Sequence, residues 1–271
     1  MVAETPPQGD ELAGFEDITV DVLANGVSVV EIRRPPNNFF DADLINAIAD
    51  ALTALEGRQQ VRAVVLASEG KHFCAGADFV GTSGAGDIDA EEGARALYSA
   101  ALRLFKSRLP IVAAVHGAAV GGGLGLALAA DFRVAGPASR LCANFSRLGL
   151  HHGFGLTETL PRVVGQQRAL DLLVTGRRID GQEAHRIGLV DRLAEDDEIR
   201  SSAIQLAEEI ATAAPLAVRS IRQTMRSDLA KAVERATEHE RSEQAILRAT
   251  ADFAEGIRAA AERRVPVFVA R

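Results

Sequence analysis

Residues Leu109–Ala130 read LPIVAAVHGAAVGGGLGLALAA, and the way this stretch folds decides the architecture of the chain. It is apolar and long enough to cross a bilayer as one helix. Against a span stand Pro110, His116 and glycines at 117, 121, 122, 123 and 125, with no basic or aromatic belts at its ends. The better reading is a buried strand over Ile111–Val115, a Gly-rich turn at Gly121–Gly123, and a buried helix ending near Ala130. No membrane span is expected.

The neighbouring segments fit that reading. Phe132–Ala135 is a further short strand. Upstream, Ala94–Lys106 reads as a helix, and Val61–Ala67 (VRAVVLA) as a buried strand that runs into the loop KHFCAGAD, Lys71–Asp78. Asp41–Glu56 carries Leu44, Ile45, Ile48, Leu52 and Leu55 on one helical stripe. Ile18–Leu23 and Val27–Ile32 alternate apolar with polar residues across Asn25-Gly26, a hairpin signal. Strands alternating with helices, and apolar on both faces, predict an α/β protein with mostly parallel, covered sheets.

After about Glu195 the strands stop, and Glu195–Ala213, Pro215–Ser227, Leu229–Arg248 and Ala251–Arg263 all read as helices. The expected organisation is a mobile tail over 1–15, a core over 16–195 and a helical region over 196–271. Thr82–Glu92, rich in Gly, Ser and Asp, is expected to be mobile.

The chain has 271 residues and a formal charge of −7, which argues against nucleic acid as a partner. Its two cysteines, Cys74 and Cys142, make no disulfide framework and fit a reducing, cytoplasmic setting. The N-terminus lacks the cationic-then-apolar pattern of a signal peptide. No set of His, Cys, Asp or Glu has metal-ligand spacing; His151 and His152 are adjacent and lack partners for zinc.

Two loops carry the chemistry signal: His72–Phe79, HFCAGADF, and His116–Leu126, HGAAVGGGLGL. Each follows a short apolar strand. Backbone N–H groups at such turns can bind an anion, helped by the positive end of a following helix. The small residues Ala75, Gly76 and Ala77, and Gly121, Gly122 and Gly123, let a ligand come close to the backbone. Two such N–H groups from different strands can together hold a developing oxyanion. A dinucleotide turn fits poorly, because Leu128 stands where the third glycine of GxGxxG belongs. The residues alone leave open the alternative that the glycines only permit tight packing.

These motifs, together with LPRVVG and ALDLLVTGRRIDGQEAHRIGLVD further on, closely resemble the crotonase superfamily, the enoyl-CoA hydratase/isomerase fold. The resemblance runs from about Ile18 to Arg271. It implies a spiral of strand–strand–helix units with a helical C-terminal region that trimerises. It also implies an acyl-CoA thioester as substrate, with coenzyme A arriving as part of it and no bound cofactor. By motif position, the enolate donors would be the N–H groups of Ala77 and Gly122. Gly76 and Asp78 flank the first donor.

The sequence departs from the hydratase pattern at both catalytic carboxylates. The glutamate that follows the glycine triplet in GGGxE is Gly125 here, and the second falls on Phe145. Neither residue can transfer a proton, so the resemblance does not carry ordinary syn-hydration with it. The titratable groups left nearby are His151 and His152 in LGLHHGFG, similar to the DGGFG of naphthoate-synthase-like relatives, with His151 at the Asp position. A water or anion in the space left by Gly125 is a further candidate. His116 is expected to support the second loop, Cys74 to be a packed small residue, and Asp78 and Asp131 to order backbone.

For the CoA portion, the resemblance points to Arg34 before Pro35 and to a basic, aromatic tail including Phe268. Two functions compete: an acyl-CoA lyase or isomerase working through an enolate, and a catalytically silent acyl-CoA-binding protein. A homotrimer or dimer of trimers is expected.

Overall fold

A computed structural model of the chain describes residues 10–77 and 87–271. The chain opens with β1 (Asp10–Glu11), β2 (Ile18–Val22) and β3 (Val27–Ile32), followed by α1 (Ala42–Glu56), β4 (Ala63–Ser68) and α2 (Asp87–Lys106). Then come β5 (Ile111–Val115), β6 (Ala118–Val120), α3 (Gly122–Ala129), β7 (Phe132–Ala135) and β8 (Arg140–Cys142). A 3-10 turn over Asn144–Leu148 leads to α4 (Leu156–Val164), α5 (Gln166–Thr175), β9 (Arg178–Asp180), α6 (Gly181–Arg186) and β10 (Arg192–Leu193). The helices α7 (Ile199–Ala211), α8 (Pro215–Met225), α9 (Leu229–Arg248) and α10 (Ala251–Glu262) complete it.

Among the described residues, seven strands form one sheet in the order β1-β2-β3-β4-β5-β7-β10. β1, β2 and β3 pair antiparallel, and the pairs from β3 onward are parallel. A smaller sheet has the order β6-β8-β9. The parallel strands β3, β4 and β5 are buried along their whole length, as continuous apolar runs require. One face of the large sheet packs on α1 and α3 in the main core; the other carries Val29, Val65, Val112 and Val134 and is covered by α7.

Several expectations are refined. Asp10 and Glu11, inside the stretch read as a tail, pair with Val22 and Asp21; residues 1–9 lie outside the described residues. Of Thr82–Glu92, read as mobile, 82–86 lie outside the described residues, whereas 87–92 open α2. An extra strand, β6, too short for periodicity to reveal, precedes the Gly-rich turn. No helix among the described residues is long and apolar enough to cross a membrane.

The helical third is not uniform. α7 buries Ile199, Ala203, Leu206, Ala207 and Ala211 against the sheet, so it is part of the core. α8 buries none of its residues: Leu216 is 80% exposed, Ile221 64% and Met225 79%. Its opposite side docks through charge. Arg222 Nε donates to Asp131 Oδ2 at 2.7 Å, and Arg226 reaches Asp131 Oδ1 at 2.7 Å. Asp131 also accepts the Ile111 N–H at 2.8 Å, so it orders the start of β5 as well as the seat of α8.

Candidate functional site

The small sheet brings the two loops together. Cys74 forms a parallel bridge with Ala119: the Cys74 N–H donates to Ala118 O, and the Val120 N–H returns to Cys74 O, each at 3.0 Å. The first loop therefore lies beside β6 as an added strand, one residue short of the glycine triplet. Gly76 adopts φ +93°, and a Cβ there would stand 2.9 Å from Val120 O and 4.0 Å from Gly122 N. The positive φ and the closeness of Val120 O leave room only for glycine at 76, and they bring its backbone beside that of Gly122.

Each member of the triplet is constrained differently. Gly121 has φ +57°, which favours glycine, and its N–H donates to Cys142 O at 2.8 Å. A Cβ at Gly122 would collide with the Phe40 ring, and one at Gly123 with Cys74 O. Gly122 is the first residue of α3, so its N–H has no intrahelical partner and sits at the positive end of the helix. Ala77, half-buried, directly follows Gly76. Asp78 lies outside the described residues.

A third loop, the one that carries Arg34 and Pro35, holds the first in place through residues the sequence did not single out. Asn38, fully buried at φ +50°, donates through Nδ2 to Glu69 O at 2.7 Å and to His72 O at 2.6 Å. The Ala75 N–H donates to Asn37 O, and the Phe40 N–H to Gly76 O, both at 3.0 Å. Phe40 is thereby fixed over Gly122, with its ring 5.3 Å from that of Phe154, edge to face.

Phe154 corrects one expectation. A Cβ at Gly125 would stand 2.6 Å from Phe154 Cβ and 2.9 Å from its Cδ1, so the position holds no space for a water or an anion. Phe154 is itself at φ +59°, an unusual conformation for a large side chain, which aims the ring at the triplet. Phe145 is buried in the 3-10 turn, and its ring reaches within 3.5 Å of where a Gly121 Cβ would be.

His151 and His152 immediately precede Gly153-Phe154 and stack at 4.1 Å between ring centroids. His151 Nδ1 lies 2.8 Å from His152 O, and His152 Nε2 lies 2.9 Å from Thr157 Oγ1. Burial, and then the charges of His151 and His239, lower His152 from 6.5 to about 4. It is neutral at pH 7 and able to accept a proton.

Glu240, on α9, was not found from the sequence. Its carboxylate is fully buried and accepts the Gly155 N–H (2.9 Å), the Thr157 N–H (3.0 Å) and the Thr157 hydroxyl (2.6 Å). A signal existed. The buried stripe of α9 runs Leu229, Ala232, Val233, Ala236, Thr237, Glu240, Gln244, and its helical spacing points Glu240 and Gln244 inward. Gln244 donates to His151 O at 3.0 Å.

The remaining residues sort as follows. His116 Nε2 sits 3.0 Å from Gly70 O, in a supporting contact. Burial pushes the Cys74 thiol up to about 12, which removes it from nucleophilic chemistry. Arg34 is held by Asp17 and Asp41, both at 2.7 Å, so a phosphate there would compete with two carboxylates. Phe268 is 41% exposed, in a tail tied to α10 by the Val267 N–H on Glu255 and the Val269 N–H on Asp252. Glu158 pairs with Arg162 one helical turn away. Among the described residues no group of three His, Cys, Asp or Glu could hold a metal ion.

Comparison with known proteins agrees with this geometry. The family model described as enoyl-CoA hydratase/isomerase matches residues 23–271. The probable enoyl-CoA hydratase EchA14 of Mycobacterium tuberculosis is 43% identical over 196 residues, covering 69% of this chain and 75% of that protein. The 1,2-epoxyphenylacetyl-CoA isomerase of Escherichia coli is 30% identical over 254 residues, 92% of this chain and 97% of that one. The crystal structure of an enoyl-CoA hydratase/isomerase from Pseudoalteromonas atlantica superposes with a TM-score of 0.81 at 32% identity, covering 94% of this chain and all of that one. With two loops paired through β6, a glycine triplet opening a buried helix, and a family model matched from the first hairpin to the last residue, the chain belongs to the enoyl-CoA hydratase/isomerase family.

Proposed function

We propose that this protein is an enzyme that acts on an acyl-CoA thioester through its enolate. The Ala77 and Gly122 N–H groups hold the thioester oxygen, and the His151–His152 pair moves the α-proton. The observation that carries this reading is the approach of Gly76 to within 4.0 Å of Gly122 N, measured from the Cβ position at Gly76. It sets the two donor-bearing loops side by side, as an oxyanion hole requires. The α-proton goes to an unprotonated imidazole nitrogen, the C–H electron pair becomes the enolate, and the negative charge collects on the thioester oxygen between the two donors. Return of the proton to another carbon gives isomerisation; addition or loss of a group at the β-carbon gives lyase chemistry.

Gly125 and Phe145 supply no carboxylate, and Phe154 excludes solvent from beside Gly125. The mechanism is therefore not two-glutamate hydration. Ala75, Gly76 and Gly121 line the acyl approach with small groups, and Phe145 gives it an apolar wall. Asp78 is assigned to substrate binding. Arg34 and Phe268 are assigned to the CoA moiety. The exposed apolar residues of α8 support assembly with other copies, and the trimer or dimer of trimers is taken from the family resemblance.

A second reading, a silent acyl-CoA-binding protein, draws on Phe40 and Phe154 packed over Gly122 and Gly125. The deciding experiment is α-proton exchange of butyryl-CoA in D2O, run beside a panel of enoyl-CoA thioesters. Exchange that disappears when both histidines are replaced supports the enzyme. Saturable binding with neither exchange nor turnover supports the binder.

A further inference from the structure

We infer that Glu240, on the C-terminal helix α9, is a positioning residue that sets the tautomer of His152 through the Thr157 hydroxyl. This rests on the reading above, in which the histidine pair moves protons, and it adds the device that prepares one of them.

Thr157 Oγ1 has one proton and lies 2.6 Å from Glu240 Oε1. An ionised carboxylate can only accept. The hydroxyl must give its proton to Glu240, because two oxygens at that distance with no proton between them would repel. Oγ1 then has only lone pairs to offer His152 Nε2, 2.9 Å away. That nitrogen must therefore carry the hydrogen. In a neutral imidazole the other nitrogen, Nδ1, is left as the proton acceptor.

In the neighbouring ring, His151 Nδ1 lies 2.8 Å from the His152 carbonyl, which only accepts, so Nδ1 is the donor. The two rings thus carry hydrogen on opposite nitrogens. Three donors converge on Glu240, one on Oε2 and two on Oε1, and each favours its ionised form, while burial pushes its pKa up. His152 is itself held neutral by burial and by the nearby charges of His151 and His239, so its tautomer, rather than its charge, is what the relay controls. The Gly155 and Thr157 N–H bonds also fix the turn that carries Phe154 toward the triplet.

The test reads the tautomer directly, by long-range 1H–15N NMR on the full protein with 15N-labelled histidine. The His152 resonances are assigned by their loss in His152→Gln. Wild type is expected to carry the His152 proton on Nε2 near pH 7, and Thr157→Ser to keep it there. Thr157→Val retains the shape and the Glu240 bonds to backbone but removes the acceptor; it is expected to give mixed or Nδ1-protonated His152. Glu240→Gln should shift the tautomer in the same sense, with folding of each variant checked by thermal melting. Butyryl-CoA exchange should slow at least about tenfold in Thr157→Val with KM little changed, and Thr157→Ser should restore it, since a full acid–base group supplies roughly 10²–10⁴-fold. A wild-type His152 protonated on Nδ1 overturns the inference without any variant. So does a tautomer unmoved by Thr157→Val or by Glu240→Gln. A shifted tautomer with unchanged exchange upholds the relay and instead removes the histidines from the proposed chemistry.

Discussion

Phe154 occupies the space that a side chain at Gly125 would need: a Cβ built at 125 stands 2.6 Å from Phe154 Cβ and 3.0 Å from its Cγ. A side chain at 125 and the Phe154 ring therefore compete for one space. Gly125→Glu is expected to lower stability by about 3 kcal/mol or more, combining overpacking with a buried unpaired charge. Adding Phe154→Gly makes room and relieves the positive φ at 154, although it costs the packing of a buried ring. The double variant should be more stable than the sum of the single effects predicts. Denaturant midpoints of the four proteins check this; strict additivity would mean that the two side chains do not compete for one space.

The donor assigned to Ala77 is a backbone N–H, which proline removes. Ala77→Pro deletes the N–H, and Ala77→Ser keeps it. Loss of one oxyanion donor costs on the order of 3 kcal/mol, or a hundredfold or more in rate. Butyryl-CoA exchange should fall by that much in Ala77→Pro and little in Ala77→Ser. Thermal melting establishes that the loop variant still folds. A folded Ala77→Pro with the wild-type exchange rate removes Ala77 from the oxyanion hole.

Much of this arrangement was legible in the residues. The Asn25-Gly26 hairpin, the α1 stripe behind the Asp41 N-cap and the fully buried strands follow from local pattern, and each falls where the pattern puts it. The glycine loops were legible as a pair because close backbone approach needs small residues. What local pattern could not carry was contact at long range. Phe154 lies well beyond Gly125 in sequence, and Asn38 reaches Glu69 and His72 from another loop. Glu240 stands 85 residues from the Gly155 N–H that it accepts. A charged residue in a helix also reads first as solvent-facing, and only its place in the α9 stripe says otherwise.

Asp131 tests how α8 is seated. Its carboxylate, 10% exposed, faces Arg222 (10%) and Arg226 (15%) and also accepts the Ile111 N–H. Asp131→Asn leaves two guanidinium groups partly buried without their counter-charge, and breaking such a set costs about 3–5 kcal/mol. The melting temperature should drop by several degrees, and protease cleavage should appear first in residues 212–228. Replacing Arg222 and Arg226 by Met together with Asp131→Asn removes the stranded charges and is expected to recover part of the loss.

The other side of α8 predicts assembly. Leu216, Ile221 and Met225 are all more than 60% exposed in the single chain. Three large apolar residues on one short helix favour burial against another copy. Light scattering at micromolar concentration is expected to give a trimer or a multiple of it. Leu216→Glu with Ile221→Glu should shift the population to monomer. A monomeric wild type would refute the proposed assembly.

The acid stability of the fold takes its sign from His152. Burial and the charges of His151 and His239 lower it from 6.5 in the free side chain to about 4 in the fold. The folded state thus prefers the neutral ring. The stabilising contribution is fully present above about pH 6.5 and is lost progressively as pH falls toward about 4. The loss amounts to at most about 1.4 kcal/mol per pH unit in that window, and less where solvent screens this half-buried ring. Glu240 acts in the opposite sense: its raised pKa favours the protonated carboxyl in the fold, a contribution fully present below its unfolded value and lost as pH rises through its folded value. Comparison with His152→Gln isolates the histidine, because glutamine can still donate to Thr157 Oγ1 but does not titrate. Melting temperatures measured between about pH 7.5 and pH 4.5 should fall more steeply for wild type than for His152→Gln, with the gap opening below about pH 6.5. Parallel curves across that range would mean that His152 titrates normally and is not held neutral by its site.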